Sequence, residues 1–419
     1  MHSILTELDA MPAILTLLAV GLLVYTYIGY PALLWLVGKL RAPLKTVSGE
    51  PSRWPTVTVI ISAHNEEVVI SRRIQNLLEQ DYPKDRLQIL IGSDGSTDRT
   101  DEEVARYRFA KVQLAAFLDR RGKASVLNDL VARATGDYLV FTDAATVFYP
   151  DSIKQLVTGF HRYPTAVVIG GKLELRCPEA SGNADGLYWR YEMFLKTNES
   201  QVGAGLGASG AIYAIRRKDY QPLPPQTMAD DLLEPLLIRM HTKGDVVLHP
   251  VARAWQVTPT HVADEFHRRV RTGGGIFHAL LETWRLLLPQ WGTVALAYWS
   301  HKTLRLLGPW ILLTAMVGNV WTLNHWAYRV LFVMQAAMYG LGVSAGRLRV
   351  IPVVGKAAVA ARYFLVLNAA LAVGCLKFLF GMARPTWDRT QRPSEHVAIR
   401  PAWPELEPQE AADEDRPAA

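Results

Sequence analysis

From Ala10 to Gly38 no residue carries a full charge, a run longer than the roughly 20 residues a helix needs to cross the hydrocarbon core of a bilayer. A chain with such a stretch must fold around a membrane. The run follows "MHSILTELDA" and ends in "LLWLVGKLRAPLK". It has neither the basic start nor the small-residue cleavage site of a signal peptide, so it reads as an uncleaved anchor. Glu7 and Asp9 precede it, while Lys39, Arg41, Lys45 and Arg53 follow it. The positive-inside rule then puts the N-terminus outside and the following residues in the cytosol. Near the other end Leu306–Tyr328 is again free of full charges, and Val330–Gly346 and Tyr363–Leu376 are shorter apolar runs, the last flanked by Arg362 and Lys377. Four spans would return the C-terminus outside, yet the basic "GMARPTWDRTQR" belongs inside. Either all four cross, or one weaker run lies in the interface.

Half of the residues are apolar, but 20% are charged, so a water-facing domain is expected beside the membrane helices. The net charge of +6 is mild. It suits a membrane surface or a phosphate-bearing ligand, and the lack of a basic run with interleaved aromatics argues against a nucleic-acid binder. The two cysteines, Cys177 and Cys375, fall in different regions, so neither a disulfide nor a cysteine metal site is expected.

Between the anchors, apolar runs alternate with helical patterns. Strands are expected at Thr56–Ser62, "LQILIGS", "VQLAAF", "YLVFT" and "AVVIGGKLEL", and helices at Glu67–Gln80, Lys123–Arg133 and Pro150–Phe160. Strand–helix alternation with short links predicts an α/β domain with a mostly parallel sheet. Such sheets bind ligands at the carboxyl edge of their strands, where His64, Asn65, Glu66, Ser93, Asp94 and Asp143 stand. Taken alone, Asp143 serves equally well as a ligand contact or as a cap for the turn after it. Carboxylates and amides at these edges suit a base and a ribose. Without a glycine-rich phosphate loop, any diphosphate is left to a metal or to basic side chains.

The run "VIISAHNEEVVISRRIQNLLEQDYP…LIGSDGSTDRT…GKASVLNDLVARATGDYLVFTDAATVFYPDSI", followed by "GASGAIYAIRR", "MADDLLEPLLI" and "DEFHRRVRTGGG", resembles the inverting family 2 glycosyltransferases of GT-A fold, in their membrane-embedded branch. The likeness covers roughly residues 20 to 390. It implies that Glu66 and Asp94 contact the nucleoside, that Lys123 in the "GKxxALN" position reaches the donor phosphates, and that Asp231 is the general base with Asp230 beside it. Each has a structural alternative: Glu66 begins a helix, Lys123 could face solvent, and "ADDLLEP" could be an acid-rich helix start. Asp98 reads as a cap or turn residue.

Asp143 matches the first acid of the family's D-x-D metal motif, but Ala145 replaces the second. One carboxylate with the diphosphate and water can still hold Mg²⁺ or Mn²⁺; otherwise Arg268 and Arg271 neutralise the leaving group. Gly207, Ser209 and Gly210 would let backbone approach the sugar or acceptor, or merely form a tight turn. "HRRVRT" stands where processive synthases carry Q-x-x-R-W: Arg271 keeps the arginine, but Arg268 replaces the glutamine and Thr272 the tryptophan. This change argues against polymer synthesis.

The expected organisation is an anchor over 1–45, a cytosolic GT-A domain over 46–275, interfacial amphipathic helices over 276–304, membrane helices over 305–383 and a polar tail over 384–419. Its acidic, Pro-rich last residues are expected to be disordered. The expected activity is inverting transfer of a sugar from a nucleotide diphosphate, UDP for preference, to a lipid-linked or glycan acceptor at the plasma (inner) membrane. The rivals are a processive polysaccharide synthase coupled to export and, because of Ala145, a non-catalytic nucleotide-sugar-binding membrane partner.

Overall fold

The computed structural model describes residues 2–40, 44–176, 184–257, 262–348 and 351–386. Cys177 and the tail beyond 386 lie outside them. The chain starts with helix α1 (His2–Val24), which passes through a π-helical turn (Tyr25–Gly29) into α2 (Tyr30–Leu40). The soluble domain follows as β1 (Val57–Ala63), α3 (Ile70–Leu78), β2 (Leu87–Asp94), α4 (Thr100–Ala105), β3 (Val112–Phe117), α5 (Lys123–Arg133) and β4 (Tyr138–Phe141). It continues through β5 (Val147–Phe148), α6 (Ser152–Arg162), β6 (Ala166–Arg176), α7 (Ala184–Gln201), β7 (Tyr213–Arg216), α8 (Asp230–Thr242) and β8 (Asp245–Val257). Then come α9 (Val262–Glu282), α10 (Thr293–Ala297), a second π-helical turn (Tyr298–Thr303), α11 (Leu304–Trp321), α12 (Trp326–Leu348) and α13 (Pro352–Leu379).

The strands form one sheet in the order β3-β2-β1-β4-β7-β6-β8-β5. β3, β2, β1 and β4 are parallel, as the strand–helix alternation predicts. β7 interrupts the pattern by pairing antiparallel with both β4 and β6. Every residue of β1 is buried, because helices cover both faces of the sheet. α3 lays Ile70, Ile74 and Leu77 into one of those layers, positions that share a helix face. It starts later than expected: Asn65 has φ +55°, and the carbonyl of Glu66 accepts both Val69 N–H and Ile70 N–H, so Glu66 and Glu67 lie in the turn before the helix.

Among the described residues three helices are long and apolar enough to cross a membrane, spanning Met11–Leu40, Thr293–Trp321 and Val353–Leu379. The run Val330–Gly346 lies in α12, which is not among them. The stretch expected to be interfacial is also divided. Its first residues complete α9, and Thr293 already opens the second candidate span. After α13 the chain returns to the α/β domain, where Pro385 lies against Gly122.

A polar seam joins the soluble domain to the membrane helices. His301 Nδ1 lies 2.8 Å from Glu199 Oε1 and its Nε2 3.1 Å from Glu192 Oε2. Arg305 pairs with Glu192, and Tyr30 Oη donates to Glu199 Oε1 at 2.8 Å. The two π-helical turns meet here, with Tyr25 Oη and Ser300 Oγ 2.8 Å apart. Burial opposes ionisation of Glu192, but Arg305 and His301 hold its carboxyl well below the usual range.

Candidate active site

The site forms at the carboxyl edge of the parallel strands, where two loops are stitched together. The carbonyl of Asp94 lies 2.8 Å from His64 Nδ1, Asn65 N–H donates to Ser96 Oγ, and Glu66 N–H donates to Thr100 Oγ1. Asp98 accepts from Glu67 N–H and from Thr100 N–H, which makes it the turn and cap residue expected. Glu66 itself is buried.

Asp94, fully buried at the end of β2, accepts Arg121 N–H at 2.7 Å and Gly122 N–H at 2.9 Å, one on each carboxylate oxygen. Its observed work is thus to fix the loop that launches α5. Gly122 sits at φ +90° in that loop, a conformation that suits a residue without Cβ. Lys123 follows as the first residue of α5 and does not face open solvent. Its Nζ lies 3.1 Å from Asp143 Oδ1 and 3.0 Å from Asp230 Oδ2. Burial works against this ammonium, but the Asp143 and Asp230 charges override it and raise its pKa. Asp230 is raised above the usual carboxylate range by burial, against the pull of Lys123.

Asp231, the next residue of α8, points its Oδ2 at Gly210 N–H, 3.1 Å away. Among the described residues Asp231 Oδ1 has no hydrogen-bond partner. The small residues of "GASG" are what permit this. A Cβ on Gly207 would stand 3.0 Å from the carbonyl of Asp231, and that same carbonyl accepts Ala208 N–H at 2.9 Å. The close approach is to the carboxylate-bearing turn of the protein itself. Ser209 closes the loop by accepting Ile212 N–H.

Lys123, Asp143 and Asp230, read from segments far apart in the chain, therefore meet at one ammonium, with Asp231 next to Asp230 and Asp94 fixing the loop that delivers Lys123. Arg268 and Arg271 are not drawn into this cluster by any ion pair to Asp143, Asp230 or Asp231. They lie on α9, before the glycines Gly274 and Gly275 that pack on Met228 and Ala229. Asn128, the last residue of the "GKxxALN" pattern, clamps the loop before α8: it accepts Leu223 N–H and Tyr220 Oη and donates to the Leu223 carbonyl.

Two groups escaped the sequence reading. Arg73 is fully buried behind Asp143, donating to Asn76 Oδ1 at 2.6 Å and Thr142 Oγ1 at 2.8 Å and stacking on Phe148. Burial brings it down to about 9, with the Asp143 charge acting the other way. Its signal was an arginine on the apolar face of α3. Glu234, one turn beyond Asp230, accepts Tyr213 Oη at 2.6 Å, and burial pushes its carboxyl up to about 8. A carboxyl kept neutral there adds no charge to the acid pair.

A mixed, mostly parallel sheet covered by helices, with an acid pair at a helix start and a lysine bridging acids at its carboxyl edge, is an architecture of the GT-A class. The family model described as "Glycosyl transferase family 2" matches residues 58–220, the stretch from β1 to just past β7. A β-monoglucosyldiacylglycerol synthase of Synechocystis sp. is 31% identical over 266 residues, covering 59% of this chain and 53% of that one. The probable glycosyltransferase YdaM of Bacillus subtilis is 35% identical, covering 54% and 57%. A poly-β-1,6-N-acetyl-D-glucosamine synthase of Staphylococcus epidermidis is 22% identical, covering 72% of each chain. The chain thus spans about half the length of the first two relatives. Among solved structures, a mannosyltransferase from Pyrobaculum calidifontis in complex with GDP-Man and Mn²⁺ superposes with TM-score 0.68 at 23% identity, over 88% of this chain and 99% of that one, a likeness of fold. The family match ends before Asp230 and Asp231.

Proposed function

We propose that the protein is a membrane-bound inverting glycosyltransferase that moves a sugar from a nucleotide diphosphate, UDP for preference, to a lipid-linked or glycan acceptor at the cytosolic face of the plasma (inner) membrane. The observation that carries this reading is Asp231: one oxygen is held by Gly210 N–H, the other is open, and both stand beside the Lys123 cluster. Direct displacement at an anomeric carbon needs one base aimed at the acceptor hydroxyl, and an oriented carboxylate with a free oxygen meets that need. The basic flank Lys39–Arg53 and the return of Pro385 to Gly122 support a cytosolic domain and tail.

In this reading Glu66 and the loop fixed by Asp94 receive the nucleoside, and Lys123 turns from Asp143 and Asp230 towards the diphosphate. The start of α5 adds the favourable end of a helix dipole. The loop Gly207–Gly210 holds the base, and Arg268 and Arg271 border the acceptor side. Asp143 fits a divalent cation as a single carboxylate, with the donor phosphates completing the shell. Ala145 contributes nothing, and among the described residues no group of three His, Cys, Asp or Glu side chains is placed to hold a metal ion. Such a cation, when bound, neutralises charge on the leaving diphosphate.

The test is transfer by detergent-solubilised full chain from a panel of nucleotide sugars, for the wild type and Asp231→Asn. The variant should lose about 10²–10⁴-fold in kcat and keep its nucleotide Kd in calorimetric titration. Full activity in the variant, or no transfer and no donor hydrolysis by the wild type with Mn²⁺ present, removes the proposal. Processive synthesis has support from the Staphylococcus relative that matches 72% of each chain, and a ladder of long products would select it.

A further inference from the structure

Between Glu282 and Asp388 the chain contains no acidic residue, although lysines and arginines recur throughout. Cations in this half must therefore find partners elsewhere. Arg305 finds Glu192 on α7, and Arg329 donates to the carbonyls of Leu323 and Asn324. Arg347 and Arg362 find neither: among the described residues no hydrogen bond or ion pair engages them, and both are exposed.

These two arginines line the same cleft, about 570 Å³ in volume, between α12 and α13, together with Gly342, Gly346, Leu365 and Val366. The glycines show its shape. A Cβ on Gly342 would lie 2.7 Å from Leu365 Cδ1, whereas one on Gly346 would meet nothing within 4 Å. The helices touch at Gly342, and Ala345 and Ala358 are still buried nearer the hairpin turn, while Gly346 faces open space, so the cleft is a wedge along one side of the pair. Arg347 is on one wall and Arg362 on the other. Val343, which also lines it, is 84% exposed and adds apolar surface beside the two arginines.

We propose that this wedge binds the headgroup phosphate of an anionic phospholipid, with the acyl chains lying along Val343, Leu365 and Val366. Two guanidinium groups without internal partners offer planar, paired donors that match phosphate oxygens. Basic pockets between membrane helices are a recurrent solution for holding such headgroups. With no carboxylate in the surrounding sequence, the bilayer is the source of countercharge.

The full chain in neutral detergent is titrated with phosphatidylglycerol or phosphatidylcholine while its melting temperature is followed, since a ligand that binds only the folded form raises it. Phosphatidylglycerol should raise the wild-type Tm by several degrees, and phosphatidylcholine should not. Arg347→Gln/Arg362→Gln should melt like wild type without lipid, because neither side chain has a bond to lose, and should lose the shift. Arg347→Lys/Arg362→Lys should retain some of it, and Arg329→Gln, outside the cleft, all of it. The proposal is overturned by equal shifts from the two lipids or by a full shift in the glutamine pair. Loss of the shift in Arg329→Gln would mean diffuse attraction, and an equal shift from glycerol phosphate would mean a soluble phosphate site. Either result also overturns it.

Discussion

Lys123→Met removes the ammonium that two acids share, and the structure sets the size of the loss. Asp230 carries most of it, because its side chain is 8% exposed while that of Asp143 is 40% exposed. Breaking a buried pair by deleting one partner costs about 3–5 kcal/mol, whereas an exposed arm contributes roughly 1 kcal/mol or less. Protonation caps the penalty. Neutralising an aspartate costs about 1.4 kcal/mol per pH unit above its unfolded value, which comes to roughly 4 kcal/mol at pH 7 and roughly 2 at pH 5.5. The sign follows from linkage. A carboxyl whose folded pKa is raised binds more protons in the native state than in the unfolded one, so it destabilises the fold as pH rises and stops doing so on acidification. The variant should melt roughly 5–15 °C below wild type at pH 7 and recover about half of that deficit at pH 5.5. The assay is thermal melting in detergent across that range, with Lys123→Met/Asp230→Asn as the closing arm of a double-mutant cycle. A deficit that stays constant or grows on acidification refutes the reasoning, as does a double variant no more stable than Lys123→Met.

Ala145→Asp restores a second carboxylate beside Asp143, and the metal concentration giving half-maximal transfer should fall by about tenfold, equivalent to ~1.4 kcal/mol. An unmoved Mn²⁺ titration would show that Asp143 is not a metal ligand. Glu192→Gln strands Arg305 and His301 in the polar seam and should cost about 3–5 kcal/mol of stability, seen as a lower Tm. Nucleotide affinity of the remaining folded protein should hold, and an unchanged Tm would show that the seam does not join domain and anchor.

What the sequence made legible was the half of the sheet built from continuous apolar runs. β1, β2 and β4 are parallel strands buried on both faces, so each reads as an apolar block running up to a polar residue, while the edge strand β3 leaves Gln113 and Ala116 exposed. Asp94 and Asp143 were found because such a block stops at them. β7 and β8 were hidden for the opposite reason. β7 has four residues, and β8 contains His249, Pro250 and Arg253 in "DVVLHPVARAWQV", so neither shows a clean period. The acid pair was legible as a pair. Motif alone assigns Asp231 its role, but only the fold shows that Gly210 holds one of its oxygens.

What the sequence left open shares a physical cause: a charged side chain is judged by its own segment, while its partner lies in another. Lys123 could face solvent in the sequence because Asp143 and Asp230 come later in the chain. Nothing in "GSDGSTD" announces that Arg121 and Gly122 will turn their N–H groups onto Asp94. The polar seam is the sharpest case. Glu192 and Glu199 are spaced i, i+7 on α7 and His301 and Arg305 i, i+4 across the second π-helical turn and α11, so each pair shares a helix face. Either pair alone looks like solvated charge. Only the meeting of α7 with a membrane helix shows why an acid pair sits opposite a basic one, and burial of both makes that match a condition for docking the catalytic domain on its anchor.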